Sequence, residues 1–195
     1  MQNLAEKIGL AILAGGEGKR LKTKETKVLV PLLGKKLLDF PLMTAKNFVQ
    51  ENKAQAFVGV VTGKFHEDIL RHLQKENLDF PWQCVEQKEP KGTADALKTF
   101  FSLSEAQKTD YTFVLCGDTP LITESHLKTL WEHLQKNSSL QGVVASFHLA
   151  NPTGYGRIKR AEKVGFHIVE EKEASLEEKK IKEVNSGLYL LRTSF

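Results

Sequence analysis

Three glycines, Gly15, Gly16 and Gly18, fall directly after the apolar run 8–13 and close to two cations, Arg20 and Lys27. Glycine accepts positive φ and carries no side chain, so a loop built from it can turn sharply and bring backbone N–H groups against a phosphate. With Arg20 and Lys27 alongside, the order of buried strand, glycine loop and cations points to a nucleoside triphosphate. Taken alone, the loop is explained equally well as a tight turn. It matches neither GxGxxG nor GxxxxGKS/T, which argues against a dinucleotide fingerprint and a P-loop.

Asp118 is the next residue able to do chemistry, following Val114-Leu115-Cys116-Gly117 and preceding Thr119-Pro120-Leu121. A carboxylate at the carboxyl end of a buried strand is costly to desolvate unless something compensates. A turn or N-cap aspartate is the plain alternative. The chemical reading is a ligand for Mg²⁺, shared with phosphate oxygens. In Glu86-Gln87-Lys88-Glu89-Pro90-Lys91-Gly92-Thr93, Gln87 offers a donor and an acceptor to a base edge. Gly92 can bring backbone to a ligand and Thr93 is placed to cap the following helix, although a solvated loop with an N-cap reads the same way. A third group comprises Pro152-Thr153-Gly154-Tyr155-Gly156-Arg157-Ile158, Ile168-Val169-Glu170-Glu171-Lys172 and Glu183-Val184-Asn185-Ser186-Gly187. Glu170 and Asn185 are types that bond sugar hydroxyls and an amide; a polar hairpin end fits the pattern too.

Positioning these residues requires strands that end together. Helical periodicity over 37–49, 66–77 and 93–103 alternates with strand-like runs over 8–13, 55–61, 82–85 and 111–116, and 28–32 reads as a short extended piece. Pro41 is tolerable in a first helical turn. This alternation predicts an α/β fold, a mostly parallel sheet with helices on both faces. Ligands in such sheets sit beyond the carboxyl ends of the strands, so loops 14–27, 86–93 and 117–123 belong on one rim. The last third differs. Strand-like runs over 141–149, 156–159, 165–169 and 184–191, with a charged helix-like stretch at 175–182, predict an antiparallel addition forming a lid or wall. No repeat or linker separates it, and 1–195 reads as a single domain.

At 195 residues, with 41% apolar and 27% charged, the chain can bury a sizeable core and is not globally disordered. Its formal charge of +4 is mild, and lysines such as Lys7, Lys46, Lys98, Lys128 and Lys163 are scattered. That distribution suits a small anionic substrate rather than nucleic acid. Cys84 and Cys116 lie in apolar runs without CxxC neighbours, as buried thiols of a reducing compartment. The apolar segment after Lys7 is too short for a signal peptide, and no run approaches a membrane span. The expectation is a cytoplasmic protein with no membrane partner.

Together LAGGEGKRL with Lys27, QKEPKGTADA, CGDTPLI, PTGYGRI, IVEEK and EVNSG resemble the motifs of sugar-nucleotide pyrophosphorylases, in order and spacing across residues 8–191. These belong to the glycosyltransferase-A-like nucleotidyltransferase group. Within it the chain is similar to the N-terminal uridylyltransferase domain of bifunctional N-acetylglucosamine-1-phosphate uridylyltransferase/glucosamine-1-phosphate acetyltransferases. The resemblance implies a Rossmann-like sheet, and uridylyl transfer from UTP to N-acetylglucosamine-1-phosphate with Mg²⁺ as cofactor. By position it implies Leu13, Ala14, Gly15 and Gly16 at the nucleotide, and Arg20 and Lys27 as catalytic cations on the triphosphate. It implies Gln87, Gly92 and Thr93 at the uracil, Asp118 on the metal, and Gly156, Glu170 and Asn185 on the sugar phosphate. There are two departures. Lys19 stands where the family's Gly-X-Gly-Thr-Arg loop has threonine, adding a cation near the phosphates. The family's second metal ligand, an asparagine, lies beyond Phe195 and its acetyltransferase β-helix is absent. The expectation is therefore a domain lacking its C-terminal end, with homo-oligomers confined to a longer form. The alternatives are a same-fold transferase with another base or sugar, and a catalytically silent nucleotide-binding domain.

Overall fold

The computed structural model describes residues 6–16, 18, 26–76, 78, 80–89, 92–161 and 165–193. In β1 (Lys7–Leu13), Ile8, Leu10, Ala11 and Ile12 are wholly buried, as expected of a strand covered on both faces. It pairs in parallel with β4 (Gln55–Thr62) on one side and β6 (Tyr111–Cys116) on the other. A further parallel strand, β5 (Trp82–Glu86), lies beside β4, giving the order β5-β4-β1-β6. The crossovers carry α1 (Asp39–Asn52), α2 (His66–Lys75) and α3 (Thr93–Phe101). Among the described residues, no helix is long and apolar enough to cross a membrane.

Two elements depart from the sequence reading in this part of the chain. The expected extended piece at 28–32 is a 3₁₀ turn, Lys27–Leu29, followed by a hairpin of β2 (Pro31–Leu32) and β3 (Lys35–Lys36). Leu33 and Gly34, with φ of 51° and 80°, supply the two left-handed positions that a tight hairpin turn needs. The second is α4 (Glu124–Lys136), which the sequence reading did not assign. The His126 ring accepts the Thr123 N–H at 3.0 Å, so histidine stands where a capping box usually has Glu or Gln. Leu127, Leu130, Trp131 and Leu134 form its buried face.

The sheet makes room for α3 by omitting side chains. A Cβ at Gly59 would lie 2.5 Å from the Phe100 ring, and one at Gly9 would lie 3.3 Å from it. The fully buried Phe100 fills that socket and packs edge-on against Phe101, ring centroids 5.2 Å apart.

The chain divides into two compact units, residues 1–143 with 189–195, and residues 144–188. Two strands have residues in both: β7 (Gly142–His148) and β10 (Glu183–Arg192). In the first unit, residues 189–192 of β10 run antiparallel to β6. In the second unit, β8 (Arg157–Arg160) and β9 (Phe166–Val169) form an antiparallel hairpin, with Val184 of β10 opposite Arg157. The antiparallel character expected of the last third is thus present. The helix-like stretch at 175–182 contracts to a 3₁₀ turn, Glu178–Lys180. Ser175 and Glu178 bond each other's backbone N–H through their side chains, at 2.9 and 3.2 Å, closing one turn before β10 begins.

Candidate active site

The first unit presents a rim at the carboxyl ends of its parallel strands. The N–H of Ala14 donates to Val61 O at 2.7 Å, that of Gln87 to Thr62 O at 2.9 Å, and that of Gly117 to Leu13 O at 2.8 Å. The three loops expected to share an edge are tied there by the first residue after each strand, Ala14, Gln87 and Gly117.

Within the glycine loop, Gly15 lies against the backbone of Thr62, and Leu13 is half-buried at the strand end. Gly16 and Gly18 have a second purpose that the sequence reading missed. A Cβ at Gly16 would sit 3.2 Å from Lys27 Cε, and one at Gly18, where φ is +64°, only 2.7 Å from Lys27 Cβ. The glycines therefore accommodate the lysine stem as well as bending the chain. Lys27 Nζ donates to Asp118 Oδ2, joining the residue expected on the triphosphate to the one expected on the metal. Arg20 and its atypical neighbour Lys19 lie outside the described residues.

Beside this pair, Cys116 is a half-buried thiol pushed up to about 11, chiefly by burial and then by the Asp118 charge, with Lys27 opposing. The Cys84 thiol is raised to about 11 by burial, while its bond with Thr62 opposes the shift. Neither thiol is fully buried as expected, because Cys116 is the last residue of β6 and Cys84 lies on β5, the edge strand of the sheet.

Asp118 is about 30% exposed and already accepts one cation, Lys27. A single accessible carboxylate at a strand end suits Mg²⁺, which keeps most positions for water and phosphate oxygens. Among the described residues, the one group of three ligand-type side chains with atoms within 4.8 Å of one another is Asp39, His72 and Glu76, which excludes Asp118. There Asp39 is engaged by the His72 ring and by the Lys36 N–H, both at 2.6 Å, at the start of α1.

Gln87 is buried, with Nε2 donating to Asp95 Oδ2 at 2.7 Å and to Gly92 O at 3.5 Å. Asp95, in the first turn of α3, is a partner that the sequence reading did not name. Gly92 has φ of 104° with open space where a Cβ would stand, so conformation rather than crowding requires glycine. The helix cap differs from expectation. Gly92 is the N-cap, its carbonyl accepting the Ala96 N–H at 3.0 Å, and exposed Thr93 is the first helical residue without a capping bond.

In the second unit, Gly156, Glu170 and Asn185 come together in one row. Asn185 N–H donates to Gly156 O at 2.9 Å, and a Cβ at Gly156 would lie 3.3 Å from Glu170 Oε1. Asn185 Oδ1 accepts the N–H of Gly187, where φ of 80° bends β10. Two neighbours escaped the sequence reading. Arg157 is 1% exposed, its Nη2 donating to Glu171 Oε2 at 2.7 Å and its Nη1 to Tyr155 O. The Glu171 carboxyl is held below its usual range, first by the Gly154 N–H and then by Arg157.

The family profile described as "Nucleotidyl transferase" matches residues 10–195. A probable UDP-N-acetylglucosamine pyrophosphorylase of Acanthamoeba polyphaga mimivirus is 35% identical over 190 residues, 96% of this chain and 71% of that protein. The bifunctional protein GlmU of Thermosipho africanus is 38% identical over 185 residues, 94% of this chain but 37% of that protein. The chain thus spans little more than a third of the bifunctional relative. A solved UDP-glucose pyrophosphorylase complexed with UDP-glucose shares the fold at a TM-score of 0.67 and 19% identity, covering 95% of this chain and 76% of that one.

Proposed function

The chain belongs to the nucleotidyl transferase family, and from that premise we propose that it makes UDP-N-acetylglucosamine and pyrophosphate from UTP and N-acetylglucosamine-1-phosphate. The observation that carries this reading is the meeting of Lys27 and Asp118 on a glycine-lined rim. The name of the mimivirus relative, a probable UDP-N-acetylglucosamine pyrophosphorylase, favours that sugar nucleotide.

A phosphate oxygen of the sugar phosphate attacks the α-phosphorus of UTP in line, and the bond from that phosphorus to the bridging β-phosphate oxygen breaks as pyrophosphate leaves. No covalent intermediate is required. The chain positions and neutralises. Leu13, Ala14, Gly15 and Gly16 line the nucleotide, and the Lys27 ammonium, with the Arg20 guanidinium, stabilises the departing pyrophosphate. Gln87, Gly92 and Thr93 read the uracil; with its Nε2 committed to Asp95, Gln87 has its carboxamide oxygen for a base N–H. Asp118 would hold Mg²⁺, whose contribution when bound is to neutralise phosphate charge. Gly156, Glu170 and Asn185 hold the sugar phosphate.

Pyrophosphate release tests the reading, with each of the four ribonucleoside triphosphates or dTTP, N-acetylglucosamine-1-phosphate and Mg²⁺. Release that prefers UTP and stops on chelation is expected. UTP binding without release would instead make this a silent nucleotide-binding domain, and preference for another triphosphate would overturn the uracil assignment.

A further inference from the structure

The guanidinium of Arg157 is a costly group to bury. Its side chain is 2% exposed, its only carboxylate partner is Glu171 among the described residues, and its buried Nε has no partner. Burying an ion pair generally adds little net stability, because the Coulomb gain must first offset desolvation. An unsatisfied buried N–H makes the balance worse. What the arrangement does supply is geometry. Glu171 Oε2 accepts both Arg157 Nη2, at 2.7 Å, and the Gly154 N–H, at 3.0 Å, while Arg157 Nη1 holds Tyr155 O. One carboxylate oxygen and one planar fork thereby fix the turn 154–157 from both sides of Gly156.

The same clamp reaches the facing strand. Glu171 is the neighbour of Glu170, and β8 opposes β9 with Arg157 across from Val169. Gly156 and Glu170 are the next residues beyond that pairing, and they face each other closely enough that a Cβ at 156 would also meet Ile168 Cγ2 at 3.0 Å. Gly156 O in turn anchors the Asn185 N–H at 2.9 Å. All three residues assigned to the sugar phosphate therefore hang on a backbone that Arg157 and Glu171 hold.

We propose that Arg157 and Glu171 are positioning residues for the sugar phosphate, setting the spacing of Gly156, Glu170 and Asn185 without touching substrate. This rests on the functional reading above, and both can be tested in one set of kinetics. Wild-type turnover with UTP and N-acetylglucosamine-1-phosphate tests the function. Glu171→Ala then tests the clamp: KM for the sugar phosphate should rise about tenfold while KM for UTP stays within about twofold, since misplacing a binding group weakens the contacts it makes. Glu171→Gln, which keeps an acceptor for the Gly154 N–H or Arg157, should recover part of the loss. Arg157→Lys should show the same KM split as Glu171→Ala, because one ammonium cannot reproduce a planar fork. Glu171 is only partly buried, so Glu171→Ala should keep a single cooperative melt. If it does not, the KM split is read from Glu171→Gln, where a smaller shift in the same direction is required.

Equal KM values for both substrates in wild type and the folded Glu171 variant overturn the clamp and leave the function standing. So does an equal rise in both KM values, the mark of a merely structural pair. A wild-type chain without turnover overturns the functional reading and the clamp with it.

Discussion

Lys27 is the residue on which the proposed chemistry can be tested most directly. Lys27→Ala should lower kcat/KM about 10²- to 10³-fold, the usual loss when one preorganised charge-stabilising donor is removed, with the melting temperature little changed. Steady-state kinetics and a thermal melt check both halves. Lys27→Arg should not restore activity, because Gly16 and Gly18 close around a lysine stem and a guanidinium has a different shape. Gly18→Ala should cost about 1–3 kcal/mol in denaturant unfolding, the price of a non-glycine residue at a strained left-handed position. The residue types at this site were legible in the sequence, but their relations were not. Nothing in the spacing of Gly16, Gly18 and Lys27 says that the first two make room for the third. Nor does Gly92-Thr93 reveal which of the two caps α3, since a positive φ at glycine serves where a hydroxyl was expected.

Phe100 and its two glycines decide how α3 meets the sheet. Gly59→Ala should destabilise the fold by about 1–3 kcal/mol through overpacking, because its new Cβ would meet a fully buried ring rather than a flexible side-chain end. Phe100→Leu in that background should cost less than the two single changes added together, a coupling that urea unfolding of the four proteins measures. Additive costs would mean that the ring and the glycine do not share the socket. At this scale the sequence was most informative where periodicity was strong. Buried runs and apolar helical faces located β1, β4, β5, β6 and α1–α3 closely. α4 was missed although its apolar face is regular, and its cap uses histidine in a place that signals helix only with Glu or Gln. The turn at Lys27–Leu29 and its hairpin were illegible because Leu33, an unusual residue at positive φ, supplies half the turn.

For the molecule as a whole, acid should act through ion-paired carboxylates, Glu105 in the first unit and three more in the second. Glu171, Glu178 and Glu183 all lie below the ordinary glutamate range there, and Glu178 is held at about 2, first by Lys159 and then by the Ser175 backbone. A depressed folded pKa contributes stability above the unfolded value of 4.5 that is lost as pH falls toward about 2. Melting temperature should therefore decline across that window. These carboxylates are half-buried at the surface and paired mostly with cations open to solvent, so the decline should be shallow and weaken with added salt, and Glu178→Gln should flatten it further. At this scale the alternation of strand and helix carried the mostly parallel order, and the switch to strands joined by short turns carried the antiparallel last third. The buried charge of Arg157 could not be read from sequence, since an arginine at a strand start looks like any solvated end. Its burial also has a thermal sign. Hydration of ions weakens as water warms, so the cost of keeping a guanidinium dry falls with temperature. The Arg157–Glu171 clamp is thus dearest in the cold, and a lineage of this protein adapting to low temperature would feel the strongest pressure to replace it with apolar side chains.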